Sequence, residues 1–260
     1  MEGQPFLNTE YLGFLSAPEE DTPLKDKRIR QAINYGFDRD KMMKYLRNGI
    51  GAPGEGGIIP QGLPGGKKLG TSDSTYGYNY NPAKARALLA EAGYPNGDGL
   101  PEIKLSTTNS YLDLCRYIQQ QLNLIGVKIK IDVNPPAALR EQIAQGKSNW
   151  FRGSWIADYP DAENYLSLFY SPNRAPAGPN YTHFKNAQFD KLYVKAQQET
   201  NERKRVAMYH TMDSILMEEA PVVILYYDQI LHFPHPYVKG LKSNAMNALD
   251  LRYVTVKKED

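Results

Sequence analysis

Asp158, Asp161 and Glu163 place three carboxylates within six residues, beside two aromatics, in the run Gly153-Ser154-Trp155-Ile156-Ala157-Asp158-Tyr159-Pro160-Asp161-Ala162-Glu163-Asn164. A carboxylate fixed at the mouth of a cleft pairs with an ammonium group, and aromatic walls hold the apolar part of a ligand. Two carboxylates at the right separation serve as acid and base or nucleophile, as in glycoside hydrolysis. A calcium loop is a poorer fit, because Pro160 interrupts it and no glycine stands where it would turn. The purely structural alternative is that Asp158 caps the next helix, with Pro160 near its first turn.

Other chemistry-bearing patterns fail on context. Gly49-Ile50-Gly51-Ala52-Pro53-Gly54 matches the dinucleotide fingerprint in letters. A helical pattern precedes it and a Pro-rich loop succeeds it, whereas that site needs a strand and then a helix. His232 and His235 flank Phe233-Pro234 with no convergent third ligand in sequence, so no metal is expected. Gly66-Lys67 is followed by Lys68 rather than Ser or Thr, so there is no Walker loop, and no G-x-S-x-G elbow occurs. No cofactor is expected.

The elements that must hold the acidic run alternate between two periods. Glu102–Ser106 reads as a strand, Leu112–Leu124 as a helix, and Val127–Val133 as a strand with side chains alternating apolar and polar. Strand, helix and strand at this length form a βαβ unit. A helix from Pro136 and a strand over Trp150–Ala157 come next, so Asp158 falls at a strand exit, where α/β sheets gather ligands. Upstream, Tyr11–Leu15 reads as a strand. Lys25–Tyr35 reads as a helix, as does the segment capped by Asp38, and Asn81-Pro82 opens another. Residues 49–79 form a long Gly/Pro loop, functional or disordered. Downstream, helices are expected over Glu163–Phe169, Phe189–Thr200 and Glu202–Glu219, the last capped by Asn201. Val222–Tyr227 reads as a buried strand and Leu251–Val256 as a last one.

At 260 residues the chain can bury a full core. Its net charge of +2 argues against nucleic acid as a partner. The single cysteine, Cys115, excludes an intrachain disulfide and fits a helix core. No run reaches membrane-spanning length, and Met1–Pro5 lacks the marks of a signal peptide, which leaves a cytosolic, processed or truncated chain. Nineteen Tyr against eight Phe suits half-wet clefts.

Four segments, in order, resemble the substrate-binding proteins of bacterial peptide-type ABC importers, extracellular solute-binding protein family 5. They are Lys27-Arg28-Ile29-Arg30-Gln31-Ala32-Ile33-Asn34-Tyr35-Gly36-Phe37-Asp38-Arg39-Asp40-Lys41, the Gly56–Pro64 loop, Tyr80-Asn81-Pro82 through Gly93-Tyr94-Pro95, and Trp155–Asn164. The Phe189-Asp190-Lys191-Leu192 helix start fits as well.

The resemblance implies an α/β fold: a lobe of the type II, cluster C periplasmic-binding-protein kind, with a mixed central sheet and helices on both faces. It covers the C-terminal part of the family only. Residues 1–226 are then the ligand-binding lobe and 227–260 a segment returning to a missing N-terminal lobe. The implied activity is non-enzymatic: two lobes close on a dipeptide or oligopeptide, which an ABC permease then receives at the periplasmic or outer face of the membrane.

By resemblance, Asp158 holds the peptide ammonium. Trp155 walls a side-chain pocket, Arg152 reaches a ligand carboxylate and Tyr159 stacks or donates a hydrogen bond. Asn109 and Tyr111, at another strand exit, are further candidates. Ala162 departs from the family's usual proline. Nickel chelates, sugars and opines are the alternative solutes. A carboxylate-dependent hydrolase and a Tyr-rich interaction module are the competing classes.

Overall fold

The structure, a computed structural model, describes residues 2–16, 18, 21–66 and 77–257. Its centre is a six-stranded mixed sheet of order β2-β6-β1-β5-β3-β4. The strands are β1 (Glu2–Phe14), β2 (Ala52–Pro53), β3 (Ile103–Thr107), β4 (Ile129–Val133), β5 (Trp150–Ile156) and β6 (Val222–His232). β3 lies parallel to both β4 and β5, while β1 runs antiparallel to β5 and β6. The βαβ unit read from the sequence is thus present as β3, α4 (Leu112–Asn123) and β4.

Alternation along the central strands feeds two cores. Leu7 and Tyr11 of β1, Phe151 of β5 and Val222 and Ile224 of β6 join one, while Leu12, Phe14, Trp150, Val223 and Leu225 join the other. Strand side chains point alternately to opposite faces, so a double-sided sheet needs apolar residues at both parities. The helices divide accordingly. α1 (Lys27–Tyr35), α2 (Arg39–Leu46), α3 (Pro82–Glu91) and α4 cover one face; α5 (Pro136–Ala144), α6 (Glu163–Leu166), α7 (Ala187–Gln198) and α8 (Glu202–Glu219) cover the other. Cys115 is buried in the α4 core. No described helix is long and apolar enough to cross a membrane.

Local chemistry sets the helix starts. The side chains of Asp26, Asp38, Asn81, Asn186 and Asn201 each accept a first-turn N–H, which satisfies donors the helix cannot pair itself. Within the Gly/Pro loop, Gly54 and residues 56–60 are buried rather than loose. Asp213 accepts the Ile58 N–H at 2.8 Å, Thr9 donates to Ile58 O at 3.0 Å and Tyr227 donates to Gly57 O at 2.6 Å. These side chains replace the ladder that an irregular buried segment lacks. Residues 67–76 of the expected loop lie outside the described residues.

Four expectations need correction. β1 begins at Glu2, not Tyr11, because Asn8, Thr9 and Glu10 are polar residues buried within a strand. The helix expected over Glu163–Phe169 is one short α-turn, α6, that tightens into a 3-10 turn over Ser167–Phe169. The last strand shrinks to Thr255–Val256, paired only with Val238–Lys239. Finally, the strand expected over Val222–Tyr227 is longer as β6. It runs to His232, paired with the first residues of β1.

Candidate functional site

β5 owes its position to Trp150 and Phe151, two fully buried aromatics facing opposite cores. One edge pairs with β1 along its whole length, from Phe14↔Trp150 to Asn8↔Ile156. The other edge meets β3 only at Ser106↔Phe151. β3 ends at Thr107, and the chain turns away through a 3-10 turn at Asn109–Tyr111 into α4. From Arg152 to Ile156 the second edge of β5 therefore has no strand beside it among the described residues. Unpaired strand edges present a row of free N–H and C=O groups.

A cleft of about 470 Å³ opens along that edge. Thr108, Ser110 and Tyr111 form the wall at the carboxyl end of β3. Leu139, Arg140 and Ile143 of α5 form the opposite wall, and Tyr11, Phe151 and Trp155 supply aromatic surface. Gly153 is required here. A Cβ on it would stand 2.7 Å from the Tyr11 ring, so only glycine lets that ring lie against the strand.

The expected site residues divide between the cleft and the strand exit. Arg152, Tyr111 and Trp155 line the cleft, whereas Asn109, Asp158 and Tyr159 do not. Arg152 is engaged elsewhere. Its guanidinium donates to the carboxylate of Glu10 and lies 3.4 Å from the centroid of the Tyr111 ring. Burial pushes the Glu10 carboxyl up, and the attraction of Arg152 offsets only part of that. Asn8 donates to Glu10 Oε1 at 3.1 Å and to Asp228 Oδ2 at 2.7 Å, and Arg47 closes on Asp228 at 2.5 Å. A polar row thus crosses β5, β1 and β6 beneath the cleft.

At the strand exit, Leu7 O accepts the Ala157 N–H at 2.9 Å, and sheet pairing stops. Asn164, 4% exposed, holds the segment beyond: its Oδ1 accepts the Trp155 indole N–H at 2.7 Å and the Asp158 N–H at 3.2 Å. Asp161, not Asp158, caps the turn into α6, by accepting the Glu163 N–H at 2.9 Å. Asp161 also accepts from Tyr209 at 2.9 Å and lies 3.5 Å from Arg205. Glu163 accepts hydroxyls from both Tyr159 and Tyr193. Two of the three carboxylates are therefore tied into the scaffold. The exposed carboxylate of Asp158 makes no hydrogen bond or ion pair among the described residues.

Several site residues escape a reading of the sequence: Glu10 and Tyr11 on β1, Asn164, and Arg140 on α5. Only Arg140 carries a local signal. Pro136, Leu139, Arg140 and Ile143 keep helical spacing, so a face that includes Leu139 and Ile143 includes Arg140.

Comparison with known proteins agrees with this architecture. Residues 2–177 match the model of the bacterial extracellular solute-binding proteins, family 5 middle region. The dipeptide-binding protein of Escherichia coli K12 is 25% identical over 240 residues, covering 91% of this chain and 43% of its own length. The structure of HbpA2 from Haemophilus parasuis superposes with a TM-score of 0.82 at 23% identity, over 99% of this chain and 50% of that one. DppA from Helicobacter pylori, in complex with the peptide STSA, gives a TM-score of 0.77 at 25% identity, over 99% and 49%. The fold is that of a type II periplasmic binding protein, and the chain spans about half the length of the relatives it matches.

Proposed function

The chain belongs to the bacterial extracellular solute-binding proteins of family 5, and from that premise we propose that it is one lobe of a two-lobed, non-enzymatic peptide receptor. The observation that carries the reading is the open edge of β5 beside the cleft, ending at an unpaired carboxylate. An extended peptide laid along Arg152–Ile156 would satisfy its backbone groups against the strand, as in β-strand addition. Its ammonium group would meet Asp158, three residues beyond Trp155 or about 10 Å of extended chain. Trp155 and Tyr111 would flank its side chains, with Tyr159 beside the ammonium. Asp158 and Tyr159 would act from just beyond the end of β5, outside the cleft itself, and Asn109, also outside it, is given no contact.

The other half of the contacts would come from an N-terminal lobe. Residues 1–226 would be the ligand-binding lobe and the remainder the segment returning to its partner lobe. Closure would bury the peptide and create the form that an ABC permease accepts, in the periplasm or at the outer face of the membrane. The hydrolase alternative loses support because Asp161 and Glu163 already serve as acceptors for tyrosine hydroxyls.

Calorimetric titration of the two-lobed protein with short peptides, beside the same peptides acetylated at the N-terminus, tests the reading. Binding that disappears on acetylation and in Asp158→Asn supports it. Binding indifferent to both would move the ligand to another solute class, such as a chelate, sugar or opine.

A further inference from the structure

We infer that Arg140, not Arg152, receives the carboxylate of the ligand. This rests on the proposed reading of the chain as a peptide-binding lobe, and it names the residue that selects the ligand's acidic end. Two cationic side chains and no carboxylate line the cleft among the described residues. They differ in how their charge is used. Arg152 donates to Glu10 and is stacked on Tyr111, so a ligand carboxylate would have to compete with a buried one already in place. Arg140 is exposed and has no hydrogen bond or ion pair among the described residues. It is the uncompensated charge of the cleft wall.

Helix geometry adds to this. Side chains on a helix lean toward its N-terminus, so a residue covers the turn that precedes its own Cα. Arg140 lies four residues after Pro136, and both line the cleft. The start of α5 carries no side-chain cap. The arginine and the positive end of the nine-residue helix therefore act on the same corner, where an anion is favoured. Thr108 and Ser110 line the same cleft, and hydroxyl side chains such as theirs can act as neutral donors. The fitting group is a carboxylate, from either the C-terminus of the peptide or an acidic side chain.

The test is calorimetric titration of the two-lobed protein with tri-alanine, tri-alanine amide and Ala-Glu-Ala amide, in wild type, Arg140→Gln and Arg140→Lys. If the terminal carboxylate is the ligand group, wild type and Arg140→Lys prefer the free acid to its amide by about tenfold or more, and Arg140→Gln shows no preference. If the side chain is the source, Ala-Glu-Ala amide outbinds tri-alanine amide, and Arg140→Gln erases that difference instead. Either result supports the assignment. A preference that persists in Arg140→Gln, or a wild type that shows neither preference, overturns it while leaving the peptide reading intact. A wild type that binds none of the three, and no other short peptide, overturns both.

Discussion

The carboxamide oxygen of Asn164 accepts the indole N–H of Trp155 at 2.7 Å. The same atom accepts the backbone N–H of Asp158 at 3.2 Å, so one buried side chain fixes both an aromatic wall of the cleft and the free carboxylate beyond it. Asn164→Leu leaves both donors without an acceptor. The expected loss of stability is about 1–3 kcal/mol by urea unfolding. Asn164→Asp, which keeps an acceptor oxygen, should lose less. Trp155 fluorescence should broaden and shift in the leucine variant before any unfolding, and an unchanged spectrum would argue against the positioning role.

Arg152 and Glu10 form a buried pair in which either partner alone is a liability. Arg152→Met should destabilise the fold by about 3–5 kcal/mol, because it strands a carboxylate beneath the cleft. The double variant Arg152→Met/Glu10→Met should recover most of that loss. Denaturant titration of the two single variants and the double gives the coupling directly, and simple additivity would refute the pairing.

Two carboxylates should set opposite slopes of stability against pH. Burial raises the Glu10 carboxyl above its usual 4.5, so its contribution is full at low pH and is lost as the pH rises through the raised value. Glu10→Gln removes that part of the slope. Hydrogen bonds from Arg28 hold Asp26 below its usual 3.8, so its contribution is present above that value and is lost as the pH falls through the depressed one. Asp26→Asn keeps the cap on α1 and should flatten only the acid limb. Melting temperatures from about pH 2 to pH 7 separate the two.

Gly57 is fixed by sterics rather than by backbone conformation. A Cβ there would stand 1.7 Å from Asp213 Oδ2, the carboxylate that also accepts the Ile58 N–H. Gly57→Ala should cost about 1–3 kcal/mol. It should also speed proteolysis of the loop before Gly66. A variant as stable as the parent would show that Asp213 moves aside freely.

How far the sequence alone reaches depends on how local each signal is. The helix Glu202–Glu219 is legible to the residue, because Asn201 caps it and Pro221 stops its continuation, all within one stretch of chain. The exit of β5 at Asp158 is legible for the same reason. The start of β1 is not. Asn8, Thr9 and Glu10 look like loop residues until their partners appear: Asp228, the carbonyl of Ile58 and Arg152, each tens to hundreds of residues away. The role expected of Arg152 depends on the same distant Glu10. Asn164 is silent beside three carboxylates, because a neutral side chain announces its hydrogen bonds only through the fold.

β1 lies between β5 and β6, and its pairing with β6 joins Glu2 to His232. During synthesis, β1 therefore keeps one long edge exposed until β6 has left the ribosome. Such distant pairing slows folding and leaves an edge that can recruit another chain. Shielding of β1 until β6 arrives, whether by chaperones or by delayed collapse, then becomes part of what makes this sheet attainable in the cell.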